Sequence, residues 1–482
     1  MQDTITFGTD GWRAVIAEEF TFTNVRRVAT ALANYILKTH GTERPVMIGH
    51  DTRFLARDFA RTVAYVLQYH GLSTLAAEHA VPTPVIAFAA REAKSAGAVM
   101  ITASHNPPQY CGIKYIPEYG GPATKAITDL IVAELADVSL ADLAIGMSDG
   151  QLFDPSHHYR AAILALLDTE RLRRAQLRVA YDAMHATGSG YTDSLLGNVG
   201  CEVTVLHANP DPLFGGVMPE PTAHYLEELA QTVKKNGLIL GLANDGDADR
   251  FGVIGEDGRY YSPNQIIPML ARHLHHNRQL SGAIVRTVAT THLLDRIAER
   301  YGLPLREVPV GFKWVGALMR QEPVLIGGEE SGGLSILGHI PEKDGILADL
   351  LVAEMVAWER KPLSQIWQEL LTEMEFEAAN CRMDLRLNAA DKQTVMDFFS
   401  LRTPATIAGR PVCERNTGDG VKLLLAGEAW LLARPSGTEP LIRIYLEAAS
   451  WQELQELQQA VTELVASITQ TTLATSSSYA HL

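Results

Sequence analysis

The sharpest chemical signal in this chain is the segment Asp245-Gly246-Asp247-Ala248-Asp249-Arg250. Three carboxylates at alternate positions repel one another unless a cation relieves them. An all-oxygen set without His or Cys favours Mg²⁺, which keeps open positions for water or a phosphoryl oxygen. The strand-like run ahead of the triplet speaks against a calcium-binding helix-loop-helix. Its apolar flanks, LILGLA and FGVIG, speak against a solvated acidic turn. A second loop, Thr102-Ala103-Ser104-His105-Asn106-Pro107-Pro108, sets a hydroxyl, an imidazole and an amide between a strand and two prolines, and Lys114 follows ten residues after Ser104. A serine activated for phosphate chemistry needs nearby cations and a rigid loop, and this segment supplies both. Taken alone it also reads as an ordinary strand-to-loop turn. Arg434-Pro435-Ser436-Gly437-Thr438-Glu439-Pro440, with Arg443 shortly after, offers hydroxyls, a glycine and two guanidinium forks, a set that suits a phosphate dianion. Gly328-Glu329-Glu330-Ser331-Gly332-Gly333 supplies carboxylates and a hydroxyl without cations, which suits sugar hydroxyls.

Such loops need a scaffold, and the apolar pattern describes one. Residues 24–39 place Val25, Val28, Leu32 and Ile36 on one helical face, with Thr23 or Asn24 as the cap and Gly41 beyond the end. Strand-like runs at 46–49, 72–77 and 97–101 alternate with such helices, which implies crossover units and a largely parallel sheet. Three apolar runs each empty into a small polar loop: AGAVMITASHN, LILGLANDGDADR and VLIGGEESGG. Ligands gather beyond the carboxyl ends of strands in such sheets. The expected fold is therefore α/β: three similar α/β domains with mixed, largely parallel sheets, then a C-terminal α+β domain, around a central cleft. The expected borders are 1–150 for the serine loop, 151–256 for the aspartate loop, 257–375 for the GEESGG loop and 376–482 for the arginine loop. The stretches 137–151 and Gly255–Tyr261 read as connectors, and the Ser/Thr-rich end as frayed.

The 482 residues leave room for three or four domains at about 150 residues each. A net charge of −15 argues against nucleic acid or an anionic membrane surface as partner. Cys111, Cys201, Cys381 and Cys413 lie far apart without a CxxC pair, pointing to a reducing compartment. No leader pattern opens the sequence, and no apolar stretch approaches the ~20 residues that span a bilayer. A soluble, cytoplasmic protein is expected.

Together, TASHNPP, NDGDADRFG, GEESGG and RPSGTEPLIRIY, with FGTDGWR at residues 7–13, resemble the α-D-phosphohexomutases, in that family's order and spacing and over nearly the whole chain. DAMHATGSGY (182–191) and NPDPLFGGVMPEP (209–221) resemble its connecting segments. The resemblance implies four domains that each lend a loop to one cleft, in a monomer or homodimer. It implies that Ser104 carries a phosphoryl group at rest, completing a Mg²⁺ site, one per chain, with Asp245, Asp247 and Asp249. Arg13, His105, Lys114 and Arg250 would surround the transferring group, with Lys114 or His105 handling the hydroxyl proton. Glu329 and Ser331 would bind sugar hydroxyls. Arg434, Ser436, Gly437, Thr438 and Arg443 would hold the non-reacting phosphate, with Lys313 of VGFKW as a further contact. The implied partners are hexose phosphates. The implied reaction interconverts glucose 1-phosphate and glucose 6-phosphate, with glucose 1,6-bisphosphate as intermediate and activator and mannose phosphates as further substrates.

A glucose 1,6-bisphosphate synthase, or a mutase working mainly on mannose or glucosamine phosphates, are the alternatives on this scaffold. A DxD-type phosphatase is disfavoured by the mid-chain aspartates and separate serine loop, and an inactive sugar-phosphate sensor by the intact Ser104, aspartates and Lys114. Two departures stand out. Tyr110-Cys111-Gly112-Ile113-Lys114 has Cys where the family usually has Asn, which would set an oxidisable thiol beside the cleft. The sugar loop ends in Gly333 where dual-specific and glucosamine-type relatives commonly carry His, and GEES resembles the glucose-preferring branch.

Overall fold

The computed structural model describes residues 5–8, 10–435, 441–469 and 475–479. Four sheets follow one another along the chain. The first has the order Trp12–Val15, Tyr110–Ile116, Ala98–Ile101, Val46–His50, Thr74–Ala77, Gln151–Phe153. Its last four strands run parallel, and the first two close it antiparallel. The second sheet orders Tyr260–Tyr261, Phe251–Gly255, Leu240–Asn244, Arg178–Asp182, Glu202–Leu206, and the third Leu305–Val308, Ala283–Thr287, Val324–Gly328, Leu334–Ile336. Each has a parallel core with an antiparallel edge. Helices cover the faces of these sheets, so the central strands Val46–His50, Leu240–Asn244 and Val324–Gly328 are buried at every position. The fourth sheet is antiparallel throughout and is covered by the helices Ala389–Leu401 and Trp451–Thr469.

Details differ from the sequence expectation where local pairing overrides composition. The helix Phe22–His40 is capped by Thr21, whose hydroxyl accepts from the Asn24 N–H, ahead of the expected cap. Gly255–Tyr261 is a hairpin of the second sheet, and Gln151–Phe153 pairs with Thr74–Ala77 in the first, so neither neighbourhood is a bare connector. Thr475–Tyr479 is an edge strand on Ala379–Arg386 where fraying was expected.

Packing brings the loops together. The helix Gly345–Glu359 is buried along almost all its length. It starts against the aspartate loop, where the Gly345 N–H donates to Ala248 O at 3.1 Å, and a Cβ at residue 345 would meet Arg250 O at 2.2 Å. One apolar core joins residues of the first three domains, while the fourth keeps its own and touches the third through a small cluster of Val288, Ala289, Trp430, Leu432 and Tyr445.

Candidate active site

The serine loop leaves the strand Ala98–Ile101 with Ser104 in the left-handed region, at φ 51°. A non-glycine residue there costs on the order of 1–3 kcal/mol and persists only when its surroundings fix it. Arg53 does so. Its guanidinium donates to the carbonyls of Ser104, Asn106, Pro107 and Tyr110 at 2.5–3.0 Å, and its Nε donates to Asp51 at 3.1 Å. The side chain is fully buried and also stacks on Phe214 of the second domain at 4.9 Å. The Ser104 hydroxyl, so presented, donates to Asp245 Oδ2 at 2.7 Å and lies 3.4 Å from His105 Nδ1. Burial, reinforced by the charges of Arg250 and Arg13, holds the His105 imidazole well below its ordinary range, so it is neutral at pH 7.

Asp245, Asp247 and Asp249 follow the strand Leu240–Asn244, all 0% exposed, with one carboxylate oxygen from each within 4.8 Å of the others. Gly246 lets the loop lie on the serine loop, because a Cβ there would meet Ser104 O at 2.4 Å. Lys114 Nζ sits 2.8 Å from Asp247, 3.1 Å from Asp249 and 2.9 Å from Asp10. Lys343 Nζ lies 3.1 Å from Asp249 and 3.4 Å from Asp10, and the Thr83 hydroxyl donates to Asp247 at 2.5 Å. Burial, then the charges of Asp249 and Asp247, push the Asp245 carboxyl well above the usual carboxylate range. At Asp247, Lys114 overcomes burial and holds the carboxyl below it. Asp247 Oδ1 and Asp249 Oδ1 are buried with no hydrogen-bond partner among the described residues. Buried oxygens are seldom left so, and two of them beside a hydroxyl and a third carboxylate fit a small hard cation. Glu256, twelfth from Asp245, is carried off by the strand Phe251–Gly255 to pair with Ser364, which removes a calcium-loop reading.

The remaining expected residues join this centre by degrees. Arg13 donates to Asn106 at 2.9 Å and to Asp10 at 3.1 Å. The Arg250 N–H donates to Asp245 at 3.0 Å, and its guanidinium faces Glu220 at 3.7 Å. The sugar loop touches the aspartate loop where the Phe251 N–H donates to Gly332 O at 3.1 Å. Glu329 accepts from the Gly311 N–H at 2.8 Å, and burial lifts its carboxyl to about 7. Ser331 is half-buried in that loop, and Lys313 half-buried in the first turn of the helix Phe312–Met319. Arg434 and Arg443 stand directly opposite each other on adjacent antiparallel strands. Like charges in that register are destabilising, and Asp419, 2.8 Å from Arg434 Nε, offsets part of that repulsion. Ser436, Gly437 and Thr438 lie outside the described residues.

One expectation is overturned. Cys111 does not border the cleft. Strand alternation sends Lys114 to one face of Tyr110–Ile116 and Cys111, with Ile113 and Tyr115, into the core on the other, where burial raises its thiol. All four cysteines are free thiols. Sequence reasoning also missed Arg53, Thr83 and Lys343, and named Asp10 only as part of FGTDGWR. An Arg directly after a buried strand, in His50-Asp51-Thr52-Arg53, was the available signal for the first of these. Lys343 has none, since it precedes a helix fourteen residues past Glu329. No helix among the described residues is long and apolar enough to cross a membrane.

Known proteins share this architecture. The family model for phosphoglucomutase/phosphomannomutase α/β/α domain I matches residues 4–141, domain II residues 157–258, domain III residues 262–374 and the C-terminal domain residues 389–464. A phosphoglucomutase/phosphomannomutase of Thermococcus kodakarensis is 32% identical, over 93% of this chain and 96% of its own. A phosphoglucosamine mutase of Carboxydothermus hydrogenoformans is 29% identical, over 96% and 98%. A crystal structure of a Thermus thermophilus protein described as a phosphomannomutase superposes with a TM-score of 0.85 at 35% identity, covering 96% of this chain and 100% of that one. Matched in all four domains and along nearly its whole length, the chain belongs to the phosphoglucomutase/phosphomannomutase family of α-D-phosphohexomutases and is a mutase of that class.

Proposed function

We propose that this mutase interconverts glucose 1-phosphate and glucose 6-phosphate, also accepting mannose phosphates, through phosphorylated Ser104. The observation that carries the reading is the Ser104 hydroxyl, held in a left-handed turn 2.7 Å from a buried carboxylate triad with two unpartnered oxygens. Asp245, Asp247 and Asp249, with an oxygen on Ser104, would hold one Mg²⁺. When bound, that ion draws charge from the transferring phosphoryl oxygens.

The chain's own residues supply position. The hexose keeps its existing phosphate on Arg434 and Arg443, and Glu329 and Ser331 take ring hydroxyls. That leaves the free 6-hydroxyl aimed at phospho-Ser104. The bond from phosphorus to Ser104 Oγ breaks as the bond to the sugar oxygen forms. The hydroxyl proton passes to the neutral His105 imidazole, because Lys114 is held as an ammonium by Asp10, Asp247 and Asp249 and has no lone pair to take it. Arg13 and Arg250 hold the phosphoryl oxygens in flight. The 1,6-bisphosphate then turns over, and its 1-phosphoryl returns to Ser104 Oγ, leaving glucose 6-phosphate. Glucose is preferred on the sequence of the sugar loop. Initial rates with glucose 1-phosphate, mannose 1-phosphate and glucosamine 1-phosphate, side by side and with added glucose 1,6-bisphosphate, test this. The highest kcat/KM on glucosamine 1-phosphate would reassign the substrate, and net release of bisphosphate from fructose 1,6-bisphosphate would favour a synthase.

The two arginine groups should separate kinetically. Arg443 holds a phosphate present in ground and transition states alike. Arg443→Ala removes a charge-assisted contact of about 1.5–3 kcal/mol, so KM rises about tenfold or more with a smaller change in kcat. The same seat serves the 6-phosphate in one half-reaction and the 1-phosphate in the other, so both directions weaken together. Arg13→Ala loses mainly kcat. An unchanged KM for both hexose phosphates in R443A would remove Arg443 from the phosphate seat.

A further inference from the structure

The segment Asp419-Gly420-Val421-Lys422 leads into the strand Val421–Leu425 of the fourth sheet and grips the third domain at two points. At one, Asp419 uses both carboxylate oxygens. Oδ1 accepts from Arg434 Nε at 2.8 Å, within its own domain, and Oδ2 accepts from the Val310 N–H at 2.8 Å, across the domain boundary. The next amide along, Gly311 N–H, donates to Glu329 Oε1 at 2.8 Å. At the other, Lys422 Nζ is buried and lies 2.9 Å from Glu307 and 2.8 Å from His292 Nε2. Gly420, at φ 77°, lets the turn fold onto Arg434, since a Cβ there would meet Ala433 O at 2.5 Å and Arg434 Cβ at 3.2 Å.

Two consecutive peptide N–H groups thus address two carboxylates, one behind the phosphate-binding guanidinium and one on the sugar loop. We infer that Asp419 is a positioning residue of the transfer reaction. It ties Arg434 to the Val310–Gly311 turn that sets Glu329, so seating the non-reacting phosphate and seating the sugar hydroxyls are one coupled event. This inference rests on the function proposed above. Engaging Nε also fixes which way the guanidinium fork faces, because the planar group then turns about one hydrogen-bonded edge. Lys422, three residues on, keeps the segment from swinging with the phosphate.

Asn at 419 keeps the shape but presents one acceptor and one amine, so either Arg434 Nε or the Val310 N–H faces another donor. Full-length D419N, R434A and the double variant, with glucose 1-phosphate and with glucose as phosphoryl acceptors, test the idea. D419N should lower kcat/KM for glucose 1-phosphate by about tenfold or more, the value of one charge-assisted hydrogen bond, chiefly through KM. Free glucose has no second phosphate, so its phosphorylation by the phosphoenzyme should fall several-fold less. The double variant should lose less than the two single losses combined, since Asp419 acts in part through that guanidinium and in part through the Val310 N–H. If D419N does not fold, Asp419→Ser carries the same test. A D419N enzyme at wild-type kcat/KM, an equal loss with glucose, or costs that add in the double variant would each overturn the role. S104A run alongside keeps the two claims apart: full activity there overturns the phosphoserine reading, whereas inactive S104A with unimpaired D419N overturns only Asp419.

Discussion

Ser104→Ala should abolish mutase turnover, with kcat down on the order of 10⁴-fold or more, the scale on which removal of a covalent nucleophile acts. Nothing nearby can substitute. The hydroxyl is delivered to the Asp245 carboxylate by a left-handed backbone that Arg53 holds through four carbonyls, and no other serine among the described residues shares that frame. Alanine leaves that frame intact, because Arg53 bonds only to backbone in the loop, so S104A should unfold at nearly the wild-type temperature. Intact mass gives a second readout. Active wild-type protein should carry a fraction about 80 Da heavier, the added phosphate, that S104A lacks. A radiolabel placed on the Ser104 phosphate should pass to hexose phosphate within one turnover while the protein stays phosphorylated, because the sugar's other phosphoryl takes its place. Full activity in S104A, or a modified peptide that excludes residue 104, would move the nucleophile elsewhere.

Much of this site was legible because its chemistry sits in contiguous loops. Ser104 with Lys114, the three aspartates, and Glu329 with Ser331 each announce themselves by residue type within a few positions, and the apolar runs ahead of them are buried strands as their composition requires. What stayed illegible is long-range. Lys343 reaches Asp10 and Asp249 from the start of a helix, Thr83 donates to Asp247 across 164 positions, and Arg53 acts on a loop about fifty residues on. No local period encodes such pairings, which follow from how the sheets pack. Cys111 was misplaced for a simpler reason. Proximity to Lys114 in sequence was taken as proximity in space, whereas three positions along a strand reverse the face. The edge strand at 151–153 was hidden because three residues are too few to show an alternation, and that at 475–479 because its Thr/Ser/Tyr sequence has no apolar pattern.

Asp247→Asn should weaken Mg²⁺ binding by about 10–100-fold and lower kcat with it, a span reached even by changes outside the immediate ligand shell of metal sites. The geometry dictates the direction. Asp247 Oδ2 accepts from Thr83 at 2.5 Å and Lys114 at 2.8 Å, while Oδ1 is the buried oxygen without a partner. If the Asn carbonyl keeps the Thr83 and Lys114 bonds, its amine takes the Oδ1 position and turns donors toward the cation. If it flips, the amine faces two donors and Lys114 is left tied to the loop by Asp249 alone. Either way one of three anionic ligands is gone. Titration calorimetry of the variant with Mg²⁺ measures the affinity directly. Thermal unfolding gives a second reading without catalysis, because each tenfold loss of affinity removes about 1.4 kcal/mol of stabilisation at a fixed, saturating Mg²⁺ concentration. In the absence of metal the sign should weaken or reverse. The variant then carries fewer like charges among groups that burial already pushes toward protonation at Asp245. EDTA should silence the wild-type enzyme, and excess Mg²⁺ should restore it. Turnover that persists unchanged in excess EDTA, with no Mg²⁺-dependent rise in unfolding temperature, would mean that the Asp245, Asp247 and Asp249 triad serves Lys114 and Lys343 alone.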